Sequence, residues 1–210
     1  MKSSEQQPPA VELEQRRKPV QERSRERVDR ILAVAAQLIS EKGVDALKTS
    51  EIAREAGISL ASLYRYFPNK AAVIKAIAER HIEKLDVHIK AFVETLDLES
   101  GFDQLIDTYA QFYRTEPGYK EIWSGVEAMP ELQALDLGEL YDNARDVSEA
   151  ARARFPEVDP ERLWLICVML PRACGAVLRL AMNLSEEQAT GMVDELKLMV
   201  KSYLRARLGE

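Results

Sequence analysis

The sequence predicts an all-α chain in two parts, a small N-terminal helical unit joined to a larger helical one. Three observations carry that expectation. Apolar residues recur at helical spacing, separated by cap and turn signals, from Val28 to Leu204. No window shows sustained apolar–polar alternation bounded by turn residues, so no sheet is expected. Charge is also split along the chain. Through Arg80 there are 15 Lys and Arg against 11 Asp and Glu, and from His81 onward 14 against 24, which together make the net charge of −6. Such asymmetry points to two parts with different partners, the basic one suited to nucleic acid.

The elements follow in order. Residues 1–20 hold three prolines and almost no large apolar side chains, which predicts a disordered arm, basic at Arg16, Arg17 and Lys18. Ser24 stands where a helix N-cap belongs, and Val28, Ile31, Leu32, Ala35, Leu38 and Ile39 then keep helical spacing until Gly43. Thr49 is the expected cap of a short second helix ending at Gly57, and Ser59 of a third ending near Phe67 and Pro68. Asn69 opens a longer helix whose apolar face is Val73, Ile74, Ile77, Ile82, Leu85 and Ile89. Further helices are expected from Gly101 to about Thr115, from Tyr119 to about Ala128, and from Glu131 to about Phe155. Two more run from Pro160 to Asn183, kinked at Pro171, and from Ser185 to near Leu208.

Composition bounds the rest. At 210 residues, 46% of them hydrophobic and 30% charged, the chain can build one or two cores. The apolar stretch Leu163 to Pro171, broken by Arg172, is shorter than the roughly 20 residues that cross a bilayer, so no membrane partner is expected. Met1 to Ala10 has no apolar h-region, and the cytoplasm is the expected compartment. Cys167 and Cys174 lack zinc-ribbon spacing, and His81 and His88 lie seven apart on one helix without an E-x-x-H pair, so no metal or cofactor is expected and the histidines read as helix surface. Without G-x-S-x-G, H-E-x-x-H or a phosphate loop, nothing suggests an enzyme, and no catalytic residue is assigned.

The informative run is Thr49 to Lys70. Two short helices meet at Ala56-Gly57-Ile58-Ser59, where Gly57 is free to adopt the left-handed turn conformation. Ile52, Ala53, Ala56, Ile58 and Leu63 are small or apolar where the helices cross. That is a helix-turn-helix, whose second helix presents its N-terminal residues to base edges in the major groove. Leu60, Ala61, Ser62, Arg65 and Tyr66 are expected to point outward, and Thr49, Ser50 and Lys70 to suit phosphates.

These residues resemble the TetR family of bacterial transcriptional regulators. The resemblance rests on T-x-x-I-A-x-x-A-G from Thr49 to Gly57, on Ser59, on Leu63-Tyr64-Arg65-Tyr66-Phe67 and on Lys70, and covers about residues 24–75. Ala61 and Ser62 stand where the family often has Gly and Thr. It implies that Thr49, Ser50, Leu60, Ala61, Ser62, Tyr64, Tyr66 and Lys70 line double-stranded DNA, with Tyr64 and Lys70 on phosphates. It further implies a homodimer through the last two helices and a small-molecule effector in a cavity among the middle ones. Domains are expected at 1–20 (arm), 21–70 (helix-turn-helix) and 71–210 (effector binding and dimerisation).

Eleven of the fourteen aromatic residues lie beyond residue 80. They are core or cavity lining, and Phe92, Tyr109, Phe112, Tyr113, Trp123 and Tyr141 are the candidates for a largely apolar effector. Arg145, Arg172 and Arg179 either meet an acidic group on that effector or pair with the acidic surface. Cys167 and Cys174 are either inert buried thiols or a redox pair. The function expected is a ligand-released repressor on a palindromic operator, the alternative a sequence-tolerant DNA-architectural protein.

Overall fold

The computed structural model describes Gln15, residues 22–125 and residues 129–209; nearly all of the arm expected over 1–20 lies outside them. Among the described residues all regular structure is helical, in the order α1 (Glu22–Lys42), α2 (Thr49–Glu55), α3 (Leu60–Tyr64), α4 (Lys70–Thr95), α5 (Ser100–Thr115), α6 (Tyr119–Gly125), α7 (Pro130–Arg154), α8 (Pro160–Ala181) and α9 (Glu186–Leu208).

The sequence's cap signals are met at three helices. Ser59 accepts from the Ser62 N–H at 3.1 Å, and Asn69 Oδ1 from the Ala72 N–H at 2.8 Å. Ser185 and Gln188 satisfy each other's backbone amides in a capping box at the start of α9. Two expected caps are corrected. Ser24 lies inside α1, where its Oγ is 3.2 Å from the Tyr66 hydroxyl instead of at a helix end. Thr49 is the first helical residue of α2, the cap position being Lys48, and its Oγ1 reaches the Tyr64 hydroxyl at 3.1 Å. The helix expected to run from Tyr119 to about Ala128 ends at Gly125, and 126–128 lie outside the described residues.

Packing forms two apolar cores. The first joins α1, α2, α3 and the front of α4, through residues such as Ile31, Ile39, Ile52, Leu63, Phe67 and Val73, and closes over Ile122 and Leu132. The second joins the rear of α4 to α5, α7, α8 and α9. α4 has 26 residues, about 39 Å at the usual helical rise, and so passes through both. A second tie is Gly118, at φ 74° ahead of α6, where an added Cβ would sit 3.1 Å from the Ala36 carbonyl oxygen of α1. Only glycine allows that turn and that approach together.

α5 and α9 are also joined by a ladder of ion pairs. Lys197 meets Asp107 at 2.6 Å, Lys201 meets Asp103 at 2.8 Å, and Arg205 meets Glu99.

The expectation about the longest apolar stretch is corrected at α8. With 22 residues it is long and apolar enough to cross a bilayer by length and composition, Arg172 notwithstanding. Its apolar residues instead divide between two faces. Leu163, Ile166, Leu170, Cys174 and Leu178 enter the second core. Leu165, Met169 and Leu180 stand outside, 46–59% exposed, as do Leu198 and Met199 of α9.

Candidate functional site

The α2–α3 turn is closed by backbone bonds that the left-handed Gly57, at φ 67°, makes possible. The Ile58 N–H donates to the Ala53 carbonyl at 2.9 Å and the Gly57 N–H to Arg54 at 3.1 Å, the paired bonds that end a helix when a glycine follows it. Ile52, Ala53, Ala56 and Leu63 are all buried at the crossing, and the Thr49–Tyr64 hydroxyl contact fastens the start of α2 to the end of α3. The unit is a rigid two-helix wedge on α1.

Its outer edge carries most of the expected DNA-facing residues. Ser50 and Ala61 are exposed, Leu60 is 39% and Tyr64 38% exposed, and Thr49 and Ser62 are half-buried. Arg65 and Lys48 are exposed on the same unit. Lys70 is half-buried, and its Nζ donates to the carbonyls of Val44 and Asp45 at 3.3 and 3.2 Å, so that in the free protein it holds the α1–α2 loop.

Tyr66 departs from expectation. It is 6% exposed, its ring lying in the first core with its hydroxyl at Ser24. α3 ends at Tyr64 rather than near Phe67, and the Tyr66 and Phe67 amides both return to the Leu63 carbonyl. That tight turn swings Tyr66 inward, off the helical face on which it was placed.

The second core is hollow. A cavity of about 250 Å³ lies among α4, α5, α6, α7, α8 and the end of α9. Phe92, Tyr109, Tyr113 and Trp123 line it as expected. Phe112 and Tyr141 do not: Phe112 packs edge-on against Tyr119, with ring centroids 5.8 Å apart, and Tyr141 is 43% exposed on the outer side of α7 beside Trp164. The sequence reading passed over Phe102 and Tyr119 as lining residues.

It singled out Arg172 and Arg179 but passed over the α7 side of a polar wall. Asp136, Glu139 and Asn143 of α7 line the cavity together with Arg172 and Arg179 of α8. Arg172 Nη2 lies 2.6 Å from Asp136 Oδ2, and Asn143 donates to Glu139 at 2.9 Å. Burial raises the Glu139 carboxyl above its ordinary value, the Asn143 hydrogen bond opposing it. Arg145 pairs instead with Asp142 on the surface. Cys167 and Cys174 belong to the same wall, and burial pushes both thiols up to about 11, leaving little thiolate at neutral pH.

Tyr119 connects the cavity to the head. Its ring is buried among Tyr113, Phe112, Trp123 and His81, and it follows Gly118, the residue seated on α1. His81 is a correction to the surface role expected of it. It is 2% exposed, with its ring centroid 5.1 Å from that of Tyr119, while His88 is exposed. Burial lowers the His81 pKa to about 4, with nearby Glu116 and the Pro117 backbone acting against the shift and Lys84 adding to it. Among the described residues no group of three or more His, Cys, Asp or Glu is placed to hold a metal ion.

Comparison with known proteins covers both parts. Residues 31–77 match the model of bacterial regulatory proteins of the tetR family, and residues 96–208 that of the tetracyclin repressor-like C-terminal domain. The chain is 30% identical over 126 residues to the nucleoid occlusion factor SlmA of Pasteurella multocida, a match covering 56% of this chain and 61% of that one. It thus spans about three fifths of the length of that relative. Among solved structures, a TetR-family transcriptional regulator from Streptomyces coelicolor superposes with a TM-score of 0.65 at 23% identity, over 87% of this chain and 99% of that one. RolR in complex with its ligand resorcinol does so with a TM-score of 0.56 at 17% identity, over 84% of this chain and 88% of that one.

Proposed function

Because the chain belongs to the tetR family of bacterial regulatory proteins and is a DNA-binding transcriptional regulator, we propose that it is a dimeric repressor released from a palindromic operator by a small, largely apolar molecule. Thr49, Ser50, Leu60, Ala61 and Ser62 face the major groove in this reading, and Tyr64 and Lys70 reach phosphates. Tyr66 supports the wedge from inside. The basic arm over 1–20 adds phosphate contacts, 21–70 forms the reading domain, and 71–210 binds the effector and dimerises.

The observation that carries the ligand-responsive part is the cavity in the second core, whose wall residue Tyr119 adjoins the Gly118–Ala36 contact with the reading head. A ligand can release DNA only through the free energy with which it prefers the non-binding arrangement, so its site has to touch an element shared with the head. α4 and α6 are such elements. The exposed stripe of Leu165, Met169 and Leu180, with Leu198 and Met199, supplies the apolar seam that two copies of α8 and α9 bury as a four-helix interface. On this reading the protein works in the cytoplasm, on the chromosome.

Likeness to SlmA favours a second reading, a chromosome-bound nucleoid occlusion factor. Selecting bound fragments from sheared genomic DNA at near-physiological salt separates the two. A palindromic motif beside one or a few genes is expected, and addition of a cognate effector should empty it. The same motif scattered over large tracts of the chromosome would favour the second reading, and fragments without a shared motif would overturn both.

A further inference from the structure

The walls of the cavity are chemically unequal. α4 and α5 present hydrocarbon and aromatic surface, among it Leu85, Ile89, Phe92 and Ile106. α7 and α8 present the polar groups. Asp136, Glu139 and Asn143 are spaced i, i+3, i+7 and therefore share one face of α7, as Arg172 and Arg179, seven apart, share one face of α8.

Of the charges of that wall, Arg172 and Asp136 form an ion pair, while Glu139 and Arg179 have only neutral partners. Arg172 has Asp136 at 2.6 Å, and Glu139 has the Asn143 amide at 2.9 Å. Arg179 has the Tyr113 hydroxyl, a neutral partner, and among the described residues no carboxylate pairs with it. Arg179 and Tyr113 line the same cavity, and a guanidinium that donates to the phenol oxygen leaves the phenol's own hydrogen for an acceptor there. A guanidinium with several donors in a planar fork and a phenol beside it match the two oxygens of a carboxylate. An apolar cavity strengthens such a pairing, since little water competes for it.

We propose that the cavity takes an apolar molecule ending in a carboxylate, with Arg179 and Tyr113 as the head-group site and the α4–α5 wall as the bed for the hydrocarbon. This rests on the reading of the cavity as the effector site. Its volume of about 250 Å³ holds roughly eight groups of the size of a water, at about 30 Å³ each, which selects short or medium hydrocarbon bodies. Arg172 neutralises Asp136, and Glu139, whose carboxyl burial raises, is held by the Asn143 amide, so Arg179 is the wall's unmatched cation.

The test uses octanoate and 1-octanol, matched in hydrocarbon and differing in the charged end. Trp164 lies outside the cavity, so Trp164→Phe leaves the cavity residue Trp123 as the sole tryptophan reporter, and calorimetry repeats each titration. Octanoate should bind at least tenfold more tightly than 1-octanol at neutral pH. Arg179→Met should erase that preference while leaving the 1-octanol affinity within twofold, and Arg179→Lys should restore part of it. Equal affinity for the two probes in the otherwise native protein overturns the head-group site and leaves the cavity reading standing. So does an Arg179→Met loss that falls equally on both probes. No binding of either probe by fluorescence and calorimetry overturns the cavity reading as well. The native ratio decides the question even where the Arg179 variants do not fold.

Discussion

The two cores of this molecule are built to opposite ends. The first, under the reading wedge, is filled: Ile31, Ala35, Ile39, Ile52, Leu63, Phe67 and Val73 are wholly inaccessible, and the side chains have nowhere to move. The second encloses about 250 Å³ and lines part of it with ionic groups, which a protein seeking only stability would not retain. The contrast separates tasks. A surface that reads base edges has to hold its side chains in fixed positions, whereas a site that answers to a ligand needs vacant volume and groups whose interactions are unfinished without it. α4 and the Gly118 contact join the two.

The comparison is broken most sharply by equal truncations on either side. Phe67→Ala should cost about 3–5 kcal/mol, as large-to-small changes in filled cores do, and urea unfolding would show it. Phe102→Ala, at the cavity wall, should cost about 1–2 kcal/mol, because the space it opens adjoins space already empty. Similar losses at the two sites would mean that the second core is as tightly packed as the first.

Acid provides the next largest effect. The folded state holds His81 neutral down to about pH 4, while the unfolded chain takes a proton near pH 6.5. Stability from this group is therefore complete above pH 6.5 and is lost as pH falls toward 4, by up to about 3 kcal/mol. In His81→Phe that part of the loss should vanish, and an unchanged difference between unfolding at pH 7.5 and 4.5 would place the acid sensitivity in other groups. Gly118→Ala should follow, at about 1–2 kcal/mol, from a positive φ and a crowded Ala36 carbonyl. It tests the joint between the halves, since operator affinity should change along with the melting temperature. The smallest effect belongs to Lys70→Ala, which should lower the slope of log affinity against log salt by about one and weaken all sequences alike. A full slope with a loosened α1–α2 loop would confine Lys70 to the carbonyls of Val44 and Asp45.

The sequence revealed the first core better than the second, for a physical reason. Helix starts, the glycine turn and the wedge depend on neighbours within a few residues, so Ser59, Gly57 and Asn69 announce themselves. Tyr66 was misplaced because the end of so short a helix as α3 is set by where Leu63 is pinned, which is a tertiary matter. In the second core, polar residues at i, i+3, i+7 on α7 have the same spacing whether they face solvent or a cavity. Asp136, Glu139 and Asn143 therefore gave no sign. Aromatic content was equally mute: Tyr109 of α5 and Tyr141 of α7 both lie on long helices, and only the tertiary packing of each helix decides that one faces in and the other out.

The ion-pair ladder between α5 and α9 carries surprisingly little information. Its acids, Glu99 at the N-cap of α5 and Asp103 and Asp107 within it, and its bases, Lys197, Lys201 and Arg205 of α9, each recur at four-residue intervals. A periodic code of that kind is degenerate. Sliding one helix by a single turn would leave two of the three rungs formed, and reversing a helix end for end would leave charges of opposite sign still facing each other. The charges therefore specify which two faces meet, while the non-repeating apolar side chains beneath them, Val193, Leu196, Val200 and Leu204, fix alignment and direction. A redesign that made those four residues identical would erase the address and keep only the attraction.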